Sequence, residues 1–209
     1  MNIVEYNEYL CQKFEETKDV GVLLRYVITE SLSPICDYEN MIRIIRRHKS
    51  AYKNATLLLL GAFWLTYWFR DEENDLLKEL NLLRSSMSEE ELAITYYLNA
   101  CHLRFTNEDY KNHPEYRENL LLSIGCNVPF VDNRVLLAEI SPLEEKQKLY
   151  VEALRNVIHV PTLSETMSTP DEIFAEPDKF IGEFITGTHP NSSHYMELLR
   201  DSYMAFCET

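Results

Sequence analysis

Leu60-Gly-Ala62, Leu98-Asn-Ala100 and Leu136-Leu-Ala138 recur at a constant spacing of 38 residues. A second column, Ile44, Leu82, Leu120 and Ile158, keeps the same spacing. A unit of this length is one helix pair, too small to enclose its own apolar stripe, so it must bury that stripe against neighbouring units. The columns predict an all-α chain of stacked antiparallel helix pairs, an α-solenoid, with small residues where two backbones come close.

Local signals divide the chain into those helices. Ser88-Glu-Glu-Glu91 reads as a capping box, the Ser hydroxyl accepting from an early backbone N–H while Glu91 reaches back to the Ser amide. Ser141-Pro-Leu-Glu144 and Thr169-Pro-Asp-Glu172 repeat the device with Pro at the first helical position, where a missing N–H costs nothing. Asp37 is placed to cap Tyr38–His48. The caps predict pairs at 17–32 with 37–49, 52–70 with 72–85, 89–105 with 114–124 and 131–140 with 142–159, preceded by a helix at 2–16. These elements make a repeat domain at 1–160. Residues 161–170 are rich in Ser, Thr and Pro and read as a connecting loop. Residues 171–209 carry the stripe Tyr195, Leu198, Leu199, Tyr203 and Phe206, which suits a helical cap on the last pair or a segment that docks elsewhere.

Leu60-Gly61-Ala62 with Trp64, and Lys148-Leu-Tyr-Val-Glu-Ala-Leu154, resemble the first-helix and second-helix signatures of the tetratricopeptide-like helical repeats, over residues 17–159. The chain departs from that family in its spacing, which exceeds the usual 34 residues or so. It also has Asn99 in the Gly61 column and a polar loop from Phe105 to Pro114. The resemblance implies that the first helix of each pair lines an inner surface, which would place Tyr96, Arg104 and Arg134 along it. Tyr and Arg are the side chains that concentrate binding energy at interfaces; ordinary packing is the other account of them.

Charge narrows the partners. The chain has 34 acidic against 20 basic side chains, a formal net charge of −14, which repels phosphate backbones and anionic headgroups. Neither nucleic acid nor a membrane is expected as a partner; a protein or peptide is, and a basic one suits the field. The acidity also serves solubility alone. The run Leu57–Phe69 is interrupted by Thr66 and falls short of the roughly 20 residues that span a bilayer, so it reads as a core helix. The start MNIVEYNEYL has no cationic or apolar leader features, and the five cysteines form no CxxC pair. Both observations suit reduced thiols in a cytoplasmic protein, a monomer or weak dimer without structural zinc.

One cluster opposes the global charge: Arg43, Arg46, Arg47, His48, Lys49 and Lys53. Cations at a helix C-terminus stabilise it by about 0.3–1 kcal/mol each at the surface, which explains the cluster structurally. Alternatively Arg43 and Arg47, four apart on one face, bind an anion together, either an acidic peptide or a phosphate.

Catalytic signatures such as HExxH, GxSxG, GxGxxG and a Gly-Lys-Ser/Thr phosphate loop are missing from the sequence, and no cofactor is implied. His189 and His194 match no strong metal spacing. The reading that follows is a protein-interaction module, an adaptor or an inhibitor of the immunity type. Its rival is an enzyme with a dispersed site around His102, His113 and nearby carboxylates of the third pair.

The Ala column is testable by volume. Ala62→Phe and Ala100→Phe should each overpack a helix contact and cost about 1–3 kcal/mol. Unchanged unfolding midpoints for both variants would reject the repeat register.

Overall fold

Two of the capping side chains read from the sequence, Asp37 and Ser88, start their helices as expected. In the computed structural model the described residues are 3–158, except 20–21, 24–25, 28–29, 31–36, 50–54 and 129–130. The expected loop 161–170, the expected cap 171–209, His189 and His194 lie outside the described residues. The helices are α1 (Ile3–Thr17), α2 (Tyr38–His48), α3 (Thr56–Trp64), α4 (Asp75–Leu83), α5 (Glu89–Thr106), α6 (Pro114–Gly125), α7 (Asp132–Glu139) and α8 (Leu143–Ile158). Between α1 and α2, Val22, Leu23, Tyr26 and Val27 are helical and buried. No strand occurs among the described residues.

Asp37 caps α2 by accepting from Asn40 N at 3.0 Å. At α5 the capping box forms in full: Glu91 N donates to Ser88 Oγ at 3.2 Å and Ser88 N donates to Glu91 Oε2 at 2.9 Å. The other Glu91 oxygen accepts from Ala55 N at 2.9 Å, so one carboxylate ties the start of α5 to the start of α3.

Each helix from α2 onward packs on the next, and α5 also packs on α3. The apolar run forms α3 and then widens into a π-helical turn at Leu65–Phe69, which Arg70 closes in a left-handed conformation at φ 49°. This turn also packs on α5. Thr66, the polar interruption, is fully buried, and its hydroxyl accepts from Asn74 Nδ2 at 2.8 Å.

Ala62, Ala100 and Ala138 are all fully buried, as are Leu60 and Leu98, whereas Leu136 is half-buried and its neighbour Leu137 points inward. The second column does not share one environment. Leu120 is buried, Ile44 half-buried, and Leu82 is 83% exposed while Leu80 is in the core. α5 has 18 residues and α7 has 8, so equal sequence spacing does not deliver equal helical faces. Two residues along a helix turn a side chain by about 200°, enough to carry Leu82 from core to solvent.

Gly61 shows how tightly the helices meet. A Cβ there would collide with Leu76 Cδ1 of α4 and approach Ile45 Cγ2 of α2 at 3.1 Å. Leu76 and Ile45 are both fully buried, so neither has room to withdraw. Gly61→Ala should therefore destabilise the protein. Overpacking of about 1–3 kcal/mol outweighs the gain in helix propensity of about 1 kcal/mol. Urea unfolding measures the difference, and a more stable variant would contradict the packing described.

Candidate functional site

The basic cluster divides into two pairs with different fates. Arg46 engages Asp75 of α4 in a two-pronged ion pair, Nε to Oδ2 at 3.1 Å and Nη2 to Oδ1 at 2.7 Å. The guanidinium beside it holds the Asp75 carboxyl below its usual pKa. Lys49 pairs with Glu79 one turn further along α4. Arg43 and Arg47 are exposed and form no ion pair among the described residues. Lys53 lies outside the described residues. His48 sits edge-on to the Phe14 ring, centroids 4.8 Å apart, and burial followed by the charge of Arg47 lowers its pKa.

The residues expected along an inner surface have separate neighbours. Tyr96 lies beneath the Arg84 guanidinium, 4.8 Å from its ring centroid, on the side of α5 that faces the end of α4. Arg104 pairs with Glu139 of α7 at 3.0 Å and covers the Tyr110 ring. Arg134 has only 11% of its side chain exposed; its Nε stands 3.8 Å from Glu152 of α8 and its Nη1 donates to Asn133 Oδ1. Arg104 and Arg134 thus each face an acid of another helix, while Tyr96 has a cation for company.

Large apolar side chains are exposed where the sequence led us to expect core. Leu82 and Leu83 end α4, and Leu121 and Leu122 stand near the end of α6. The two helix ends lie toward the end of the bundle where α5 begins. A short 3₁₀ turn, Arg84–Ser86, leads from α4 to the α5 cap, and Ser123 Oγ of α6 donates to Ala93 O of α5 at 2.7 Å. The charge of Glu89 is felt by the thiol of Cys126, just past α6. Glu89, Glu90 and Glu118 are exposed in the same segments. Of these leucines the sequence marked only Leu82, as a member of the second 38-residue column, because a leucine inside an amphipathic pattern reads as core.

A buried polar group at the α3–α5–α7 junction also had no sequence signal. Tyr67, in the π turn, meets Tyr97 hydroxyl to hydroxyl and Cys101 Sγ at 3.0 Å. Tyr97 donates to Asp132 Oδ2 of α7 at 3.3 Å. Burial pushes the Cys101 thiol up to about 12, despite the hydrogen bonds from both tyrosines, and raises Tyr67 well above the usual range. A thiol so raised is the reverse of an activated nucleophile. His102 is half-buried with its pKa lowered by burial, and its Nδ1 has no hydrogen-bond partner, as has that of His113. Among the described residues no three His, Cys, Asp or Glu side chains are grouped to hold a metal ion.

No protein family, curated protein or solved structure matches this chain. Also among the described residues, no helix is long and apolar enough to cross a membrane.

The thiols provide a chemical test of the junction. At mildly alkaline pH, iodoacetamide should label the half-buried Cys11 and Cys126 in the native protein, and Cys101 only as the protein unfolds. Mass mapping of the labelled sites reads the order. Native labelling of Cys101 as fast as Cys126 would contradict its burial.

Proposed function

We propose that this chain is a protein-interaction module, a tetratricopeptide-like array of stacked helix pairs that takes a basic, apolar partner segment at the ends of α4 and α6. The observation that supports this reading is the exposure of Leu82, Leu83, Leu121 and Leu122 at one end of the bundle. Single exposed leucines are ordinary; four on two helices leave apolar area of the kind that marks contact sites.

Electrostatics supplies the partner's chemistry. Glu118 stands one turn before Leu121 and Leu122, Glu89 and Glu90 are exposed at the start of α5, and the whole chain is strongly acidic, so a segment with Leu or Phe anchors and Lys or Arg flanks is complementary. The leucines are preferred as the contact over Tyr96, Arg104 and Arg134 because Arg104 and Arg134 already face Glu139 and Glu152. A partner on that face would have to displace those acids. An adaptor and an inhibitor of a basic protein both fit this description.

Affinity capture from the native cell, wild type against Leu82→Ser and Leu121→Ser/Leu122→Ser, tests the reading. The variants should keep the unfolding midpoint within about 0.5 kcal/mol of wild type, as surface changes do. Capture of the same identified basic protein should fall by about 1 kcal/mol or more per anchor lost, and weaken further as salt rises. Capture indifferent to the leucines, but lost on Arg104→Ala or Arg134→Ala, would move the site to the first helices.

A further inference from the structure

We infer that the exposed face of α2 bearing Arg43 and Arg47 binds a phosphate monoester carried on a phosphorylated side chain of a partner. The inference is independent of the leucine surface and rests on a different part of the chain.

Four observations converge on it. First, the neighbouring cations are already engaged: Arg46 is held by Asp75 and Lys49 by Glu79, both on α4, whereas Arg43 and Arg47 have no carboxylate partner among the described residues. Glu39 stands one turn before Arg43 on α2 and makes no ion pair with it. Second, Arg43 is held from within. Its Nη2 donates to Asn40 Oδ1 at 2.5 Å, and Asn40 Nδ2 donates in turn to the hydroxyl of the buried Tyr26 at 3.2 Å. This chain orders the guanidinium before any ligand arrives and leaves its other N–H groups for an outside acceptor, which lowers the entropy cost of binding.

Third, the acid that Arg47 influences is already paired: Glu15 holds Lys18, just beyond α1. Fourth, the stoichiometry favours phosphate. Arg46 and Asp75 show on the same helix that one carboxylate satisfies one guanidinium fork. Two forks four residues apart call for an acceptor with more oxygens, and a phosphate monoester offers three and nearly two negative charges. The distant acidic groups do not cancel this locally, since charges beyond about 8 Å are screened at physiological salt.

His48 reports on the site without contributing to the proposed contact. The full chain is titrated with N-acetyl-phosphoserine amide while the His48 ring is followed by nuclear magnetic resonance, with N-acetyl-aspartate amide and inorganic phosphate as comparison probes. Saturable shifts at His48 with the phosphoserine probe, accompanied by a rise in its pKa, are expected, with much weaker effects from the aspartate probe. Arg43→Gln and Arg47→Gln should each weaken binding about tenfold, the equivalent of one lost charge-assisted contact of about 1.4 kcal/mol. Both residues are exposed, so circular dichroism and the unfolding midpoint should stay as in wild type. The absence of saturable shifts, equal binding by the double variant, or equal affinity for the aspartate probe would overturn the site. Inorganic phosphate binding as tightly as the ester would overturn a modified side chain as its ligand.

Discussion

The close approach of α3 to α4 at Gly61 and Ala62 is the constraint on which the arrangement depends. An apolar helix pressed this hard against a neighbour seals its own polar atoms away from water, and each one left unsatisfied would cost about 1–3 kcal/mol. Asn74 meets that demand with both ends of one amide. Its Oδ1 accepts from Leu77 N and starts α4, while its Nδ2 donates to Ala62 O at 3.1 Å and to Thr66 Oγ1 at 2.8 Å. The helix that Asn74 caps is therefore the one that fills the space opposite Gly61. Just beyond Ala62 the α3 backbone opens into the π turn, and that turn presents Tyr67 to Tyr97 and Cys101 of α5.

Polar links between helices recur further along the chain. Asn81 of α4 and Asn99 of α5 exchange amide hydrogen bonds at 2.9 Å in both directions. Asn133 Nδ2 of α7 donates to Ser123 Oγ of α6 at 3.0 Å, and Ser123 donates onward to Ala93 O of α5. Leucine surfaces tolerate sliding by a turn; an amide facing an amide does not, because a shifted register buries both without partners. These contacts select one alignment of helices whose apolar faces alone would permit several. They also explain why Asn occupies the position that Gly61 holds in the preceding helix pair: it pairs with Asn81 there instead of admitting a backbone.

What could be read from the sequence was what acts locally. Asp37 and the Ser88–Glu91 box work within a few residues, and both helix starts follow from them. The small residues Ala62, Ala100 and Ala138 announced their burial because few environments other than a tight contact favour them in series. The leucine column misled because leucine is abundant and carries no record of which way it faces, so Leu82 and Leu120 look alike and lie in opposite environments. The candidate sites were legible only in part. The cluster around Arg43 stood out by charge, but which cations stay free is decided by Asp75 and Glu79, about 30 residues away on another helix. The junction of Tyr67, Tyr97, Cys101 and Asp132 draws on three helices and had no spacing to betray it.

The same pattern of ion pairs shapes what remains on the surface. Asp75, Glu79, Glu139, Glu145 and Glu152 each face a cation of a different helix: Arg46, Lys49, Arg104, Arg117 and Arg134. Partly exposed pairs of this kind contribute modestly to stability, about 0–1 kcal/mol each. Their larger effect is on availability. Each pair withdraws one acid together with one base, so the excess of 34 acidic over 20 basic side chains stays with the residues outside the pairs. Arg43 and Arg47 are exposed and stand outside these pairs among the described residues. The ion pairs that join the helices thus decide which cations are held between elements and which, such as Arg43 and Arg47, are left on the exposed side of α2.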